Sequence, residues 1–320
     1  MNHHKSIVTG GAGFIGSHLV ERLFKESYNV MALDNLTSGK IENIKLPLNN
    51  LSLTLVKGDL KKPVKLDKMI EDCEIIFHLA ANPEVRMDET DPKVHFEENI
   101  LATFNLLEAM RRTKTTKTIV FTSTSTIYGE ASIIPTPENY GPLTPISTYG
   151  ASKLSCEALI TSYAHTFNLR ALILRLANII GPRSNHGVIH DFIQKLQKNH
   201  TCLEILGDGN QKKSYMYIDD CISAILHATK IFLKCNKTVD IYNIGPTDQT
   251  TVKRIAEIMV EEMNIQNVKF HFTGGVDGGR GWKGDVKNMH LSIEKLTKKS
   301  WKPKNSSEEA IRLTVKSYLN

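Results

Sequence analysis

Along the first half of the chain, short runs of β-branched and aliphatic residues alternate with longer stretches whose apolar positions recur at helical spacing. KSIVT, YNVMALD, LTLVKGD, EIIFHLA, KTIVFTS and LRALILR each end at a polar residue or a glycine, and helical patterns separate most of them. That alternation predicts a parallel sheet wrapped by helices. Beyond residue 178 the pattern loosens into GPRSNHG, LGDGNQ and TGGVDGGRGWKG, with helical segments at DFIQKLQK and TVKRIAEIMVEEM. DIYNIG, at 240–245, reads as one more strand, which returns to the first sheet and makes the boundary between the two regions discontinuous.

Composition narrows the class of molecule. A chain of 320 residues with 41% hydrophobic content buries a core large enough for one long or two ordinary domains. The charge of +6 comes from lysines scattered along the chain, without an arginine-rich stripe, so nucleic acid is not expected as a partner and an anionic small molecule is mildly favoured. No apolar run approaches the roughly 18 residues that span a bilayer. MNHHK is followed by the short SIVTG and then glycines, not by a leader's apolar segment. The expectation is a soluble cytoplasmic protein with no membrane partner. Cys73, Cys156, Cys202, Cys221 and Cys235 show no metal spacing and are expected as reduced thiols. His186 and His190 stand four apart in HGVIH with no third ligand in view, so no metal is expected.

The chemistry begins in TGGAGFIGSHL, residues 9–19, which follows the first strand and opens the first helix. Gly10, Gly13 and Gly16, with Phe14 and Ile15 between them, leave room for a tight turn, for a pyrophosphate against backbone N–H groups, and for close helix packing. Taken alone, the run is also what an ordinary tight strand-to-helix turn would show; its place after the first strand and the acid about 20 residues on favour the dinucleotide. Asp34, followed by Asn35, closes the second strand, where a carboxylate accepts hydrogen bonds from ribose hydroxyls and repels a 2′-phosphate. NAD is therefore expected in preference to NADP. Asp59, with Leu60 in KGDL, is placed to reach the adenine, although a turn residue would look the same. The whole is a Rossmann-type doubly wound parallel sheet, residues 1–177, with a smaller α/β substrate-binding domain, residues 178–320.

Tyr149 and Lys153 lie four apart in TPISTYGASKLSCEALITSYA, which reads as one helix, so they share a face. A free tyrosine, with a pKa of about 10, is a poor base at neutral pH. An ammonium group on the same face and a positively charged nicotinamide would both favour the phenolate. Upstream, TSTSTIYGE at 122–130 crowds hydroxyl side chains onto the end of an apolar strand.

The ordered set TGGAGFIGSHL, DNLTSG, GDL, HLAAN, TSTSTIYGE, YGASK, RLANIIGPR, GDGNQKKSYMYIDD and GWKGDV resembles the extended short-chain dehydrogenase/reductases that act on nucleotide sugars. The likeness is nearest to the UDP-glucose (UDP-galactose) 4-epimerases and covers essentially the whole chain. It implies that Tyr149 takes the proton of the sugar 4-hydroxyl while hydride passes to NAD, that Lys153 holds the nicotinamide ribose, and that Thr124 hydrogen-bonds the reacting oxygen. It also implies that Leu60, Ala80 and Asn99 help to hold the cofactor, Asn99 having the alternative of bridging helices. Asn178 falls at the diphosphate, Lys213 stands in place of the family's phosphate-gripping arginine, and Arg280 is a candidate second phosphate contact. Related dehydratases and decarboxylases carry an acid at one or both of the positions held here by Ser125 and Thr126. Without one, oxidation leads only to return of the hydride, and return to the opposite face is epimerisation. The family places a sugar-pocket side chain at the position of Met289, whose size and flexibility would admit UDP-glucose and UDP-galactose readily and the N-acetyl pair more slowly. Core packing, with loop lengths that differ here, is the alternative. The family also implies a homodimer joined through residues 93–112 and 149–167. A dehydratase or decarboxylase of the same fold and a non-catalytic dinucleotide-binding scaffold are the alternatives.

Overall fold

A computed structural model describes residues 5–46, 52–62, 64–85 and 90–319. Residues 1–4, on which the reading of the N-terminus partly rests, lie outside them. In chain order the first layer is β1 (Lys5–Thr9), α1 (Phe14–Lys25), β2 (Asn29–Asp34), β3 (Leu53–Lys57), α2 (Leu66–Ile70) and β4 (Ile75–His78). A short α3 (Lys93–His95) then runs through a π-helical turn, Phe96–Leu101, into α4 (Ala102–Thr113). β5 (Thr118–Thr124), α5 (Thr148–Thr166) and β6 (Arg170–Leu176) follow. The remainder comprises β7 (Asn178–Ile180), α6 (Val188–Lys198), β8 (Cys202–Ile205), β9 (Lys212–Lys213), β10 (Tyr215–Tyr217), α7 (Ile218–Lys234), β11 (Val239–Ile244), β12 (Thr250–Thr251), α8 (Val252–Glu262), β13 (Lys269–Phe272), β14 (Asn288–Met289), α9 (Glu294–Thr297) and α10 (Ser307–Leu319).

The seven-stranded sheet has the order β11-β6-β5-β4-β1-β2-β3, with every neighbouring pair parallel. Successive residues of a strand point to opposite faces, and both faces are covered. Val8 packs with the α1 and α7 side of the core, whereas its neighbour Ile7 packs with the α4 and α5 side. Strand order reverses between β1 and β4, which opens a crevice at the carboxyl ends of those strands. The strand read at 240–245 is β11, paired along β6 at the sheet edge, and α7 packs on the same sheet. A separate apolar cluster, built from α6, α8, α10 and β8, underlies the second region. Among the described residues no helix is long and apolar enough to cross a membrane.

Candidate active site

A cavity of about 710 Å³ opens at the crevice and runs from the glycine loop, past the end of β5, to the short strands β9 and β14. At its first end Gly10 has φ +69°, and a methyl group there would sit 2.9 Å from the Ala80 amide nitrogen. One at Gly16 would overlap the Gly10 carbonyl oxygen and lie 2.8 Å from its carbon, so the first turn of α1 rests directly on the loop. Gly13 caps α1 without a side-chain hydrogen bond, and no acidic residue occupies the first turn. The amides of that turn are thus left for an anion, and Gly13, Phe14, Ile15 and Gly16 all line the cavity. Asp34, 7% exposed, is aimed by two backbone donors, Ala12 N at 2.9 Å and Leu36 N at 2.8 Å. Asn35, Asp59, Leu60 and Ala80 also line this end. Asp59 accepts from Lys61 N at 2.9 Å, so it is a turn residue as well as a wall residue. This cradle fits a dinucleotide.

Thr124, Tyr149 and Lys153 come together at the middle of the cavity. Thr124 is the last residue of β5; its hydroxyl accepts from Thr126 N at 3.2 Å, capping the helical turn Ser125–Tyr128. Ser147 caps α5 by accepting from Gly150 N at 3.0 Å, which sets Tyr149 and Lys153 on the turns facing the cavity. Burial pushes the Tyr149 phenol up to about 12, opposed by its hydrogen bond with Thr124. Burial brings Lys153 down to about 8, against the raising influence of Cys156 and Glu157. The ammonium lies 4.3 Å from the Phe121 ring centre. His78 stays neutral beneath them, pushed down to about 3 by burial and the Lys153 charge, and bridges Thr9 at 2.7 Å and Thr103 at 2.9 Å.

At the far end Asn178, Lys213 and Met289 line the cavity. The amide of Asn178 donates to Ser214 O at 3.0 Å. Met289 lies opposite Lys213 in parallel register and is 8% exposed, packed with Ile127, Tyr128 and Leu291, so it is wall and core at once. Lys213 is not a free cation. It is ion-paired with the buried Asp285 and sits 5.4 Å from the Trp282 ring centre. Two of the expected residues do not line the cavity. Arg280 braces its own loop, donating to Asp285 O at 2.9 Å, Asp277 O at 2.6 Å and Glu130 at 2.7 Å. Asn99 is a bridge: it accepts from Asn82 N at 2.8 Å and donates to Ser152 on α5 at 2.8 Å.

Sequence reasoning passed over Gln211, Trp282 and Arg183, which also line the cavity. Gln211, Lys213 and Tyr215 alternate along one short extended segment, and that period-two spacing was the available signal. His186 and His190 bond to the neighbouring amide side chains of Asn185 at 3.3 Å and Gln194 at 2.8 Å.

Residues 6–245 match the family described as NAD dependent epimerase/dehydratase. The chain belongs to this family. A putative UDP-glucose 4-epimerase of Methanocaldococcus jannaschii is 35% identical over 97% of the chain and 96% of its own length. A solved UDP-galactose 4-epimerase is 42% identical, with 98% of each chain covered and a TM-score of 0.88. A Thermus thermophilus UDP-glucose 4-epimerase, solved with NAD, is 31% identical, with 99% of each chain covered and a TM-score of 0.84. The family's description spans epimerases and dehydratases, so the choice within it falls to the residues around Thr124.

Proposed function

We propose that the protein is an NAD-dependent 4-epimerase of UDP-sugars, acting on UDP-glucose and UDP-galactose through a transient 4-keto sugar. The observation that carries this reading is the neutral hydroxyl set Thr124, Ser125 and Thr126, lining the cavity beside Tyr149 and Lys153. No carboxylic acid stands at 125 or 126 to protonate a leaving hydroxyl, so the oxidised sugar has no route onward and is reduced again.

Gly10, Gly13 and Gly16 would hold the pyrophosphate of NAD and Asp34 its adenosine ribose, with Asn35, Asp59, Leu60 and Ala80 around the adenine end. Bound there, NAD supplies a reversible hydride acceptor. Thr124 and Tyr149 bracket the sugar 4-hydroxyl, and Tyr149 takes its proton. A phenol at about 12 is a poor base, so positive charge must stabilise the phenolate. Lys153, one turn along the same helix and lining the same cavity, would provide it. Asn178 and Lys213 would meet the diphosphate, with Lys213 passing from Asp285 to the phosphate, and Met289 would border the sugar. Arg280 supports this wall from behind.

We further propose the division into residues 1–177 with β11 and a substrate-binding remainder, and a homodimer through α4 and α5. Phe96, Phe104 and Phe167 are 56%, 40% and 41% exposed on or beside these helices, which supports a shared apolar face. Incubation with UDP-glucose, followed by product analysis, tests the reading. UDP-galactose supports it, whereas a 4-keto-6-deoxy product would assign the chain to the dehydratases.

A further inference from the structure

Behind the site lies a buried ion pair that the chemistry described so far does not use. Glu157 on α5 and Arg175 on β6 are 5% and 3% exposed. Arg175 donates to the carboxylate through Nε at 3.1 and 3.2 Å and through Nη2 at 2.7 Å. On its other side Nη1 donates to the Tyr128 hydroxyl at 2.8 Å and to Glu138 O at 3.0 Å. Tyr128 in turn donates to the buried Asn243 at 2.8 Å. A buried ion pair rarely adds net stability over apolar residues of the same volume. Its location suggests a different use.

Glu157 follows Lys153 by four residues on α5, hence one turn along the same face. Arg175 pairs in register with Ser123, one residue before Thr124, and Tyr128 ends the turn that Thr124 caps. The pair therefore joins the helix carrying Tyr149 and Lys153 to the strand and turn carrying Thr124. Glu157 is also among the groups that raise Lys153, after Cys156. Burial pushes the Cys156 thiol up, so Glu157 is the carboxylate among them. Around Lys153, α5 also brings Tyr149, β4 the neutral His78, and β5 the Phe121 ring. Among the described residues Lys153 makes no ion pair of its own.

We propose that Glu157, clamped by Arg175, is a positioning residue for the reaction: its carboxylate keeps Lys153 charged inside the protein, and the clamp fixes α5 against the turn that presents Thr124. This rests on the roles assigned to Tyr149 and Lys153. The charged lysine is lost as pH rises through its folded value of about 8, so kcat falls on that alkaline limb. Glu157→Gln removes a raising influence and leaves Arg175 positive, and both changes move the limb to lower pH. A displacement of about one unit, a roughly tenfold loss of kcat on the alkaline side, is expected. KM for the sugar should be unchanged. Glu157→Asp keeps the charge and should restore most of the limb. Tyr128→Phe keeps both charges and should leave the limb in place.

The test is the pH profile of kcat for these variants, together with an NMR titration of the Lys153 ammonium in the intact protein. If Glu157→Gln does not fold, Glu157→Gln with Arg175→Met removes both charges and is read in the same way. A lower limb and a lower Lys153 midpoint support the proposal. A folded variant with both at the wild-type pH overturns it, leaving the pair a purely structural clamp. Absence of epimerisation by the wild type would instead contradict the functional reading, and the NMR midpoint would still decide the role of Glu157.

Discussion

Replacing Gly16 with alanine puts one methyl group where α1 meets the loop. That methyl would overlap the Gly10 carbonyl oxygen and lie 2.8 Å from the carbonyl carbon and 3.0 Å from the Gly11 Cα. Carbon sits comfortably at about 3.4 Å or more from such atoms, and the oxygen overlap is the tightest of the three, so helix and loop must separate by about 1 Å or more. All three obstacles are backbone atoms, and none can swing aside as a side chain would. Overpacking of this kind costs about 1–3 kcal/mol. If the strain is relieved in the bound protein by displacing the α1 amides, NAD affinity falls by about 5-fold to 150-fold. Gly13→Ala strains the protein itself less, because its methyl would meet the Gly10 oxygen at 3.2 Å, a contact that a small adjustment relieves, so a loss there reports crowding of the pyrophosphate instead. Calorimetric titration of NAD into the cofactor-free protein and both variants, with melting curves to confirm folding, measures the effect. Wild-type affinity in Gly16→Ala would refute the placement of the pyrophosphate on this turn.

Tyr149→Phe removes the proposed base while keeping the ring against His95; kcat should fall by about 100-fold to 10,000-fold with little change in NAD binding, and near-normal turnover would place the base elsewhere. Lys213→Ala should raise KM for the UDP-sugar more than it lowers kcat, since a phosphate contact distant from the reacting carbon binds ground and transition states alike. Met289→Tyr should abolish turnover of UDP-N-acetylglucosamine while sparing UDP-glucose; N-acetyl activity that is absent from the wild type, or unchanged by the tyrosine, would remove this residue from the specificity argument.

The sheet was legible because most of its strands are covered on both faces and therefore written as largely apolar runs: TIVFTST lies buried at every position of β5, and only the edge strand β3 has two exposed positions. β11 was legible for the same reason, despite lying more than 60 residues beyond β6 in sequence. The glycine loop and the Tyr149–Lys153 pair are local in sequence, so their spacing alone places them. What sequence spacing does not give is direction and company. Arg280 and Lys213 both read as phosphate cations, yet the first faces a loop of its own making and the second is held by Asp285, 72 residues away. Asn99 lies on a π-helical turn, which breaks the helical register from which its direction would be inferred. The Glu157–Arg175 pair went unread for a related reason. Its partners come from a helix and a strand whose contact is fixed only by the fold.

The central claim is that the hydride taken from C4 of a UDP-sugar has nowhere to go but back to the same carbon. The most direct measurement is proton NMR of UDP-[4-²H]glucose with the NAD-loaded protein and no added oxidant or reductant. The account predicts UDP-galactose approaching equilibrium with deuterium retained at C4. Deuterium found at C6 of a 4-keto-6-deoxy sugar, or an otherwise rearranged product, would contradict it.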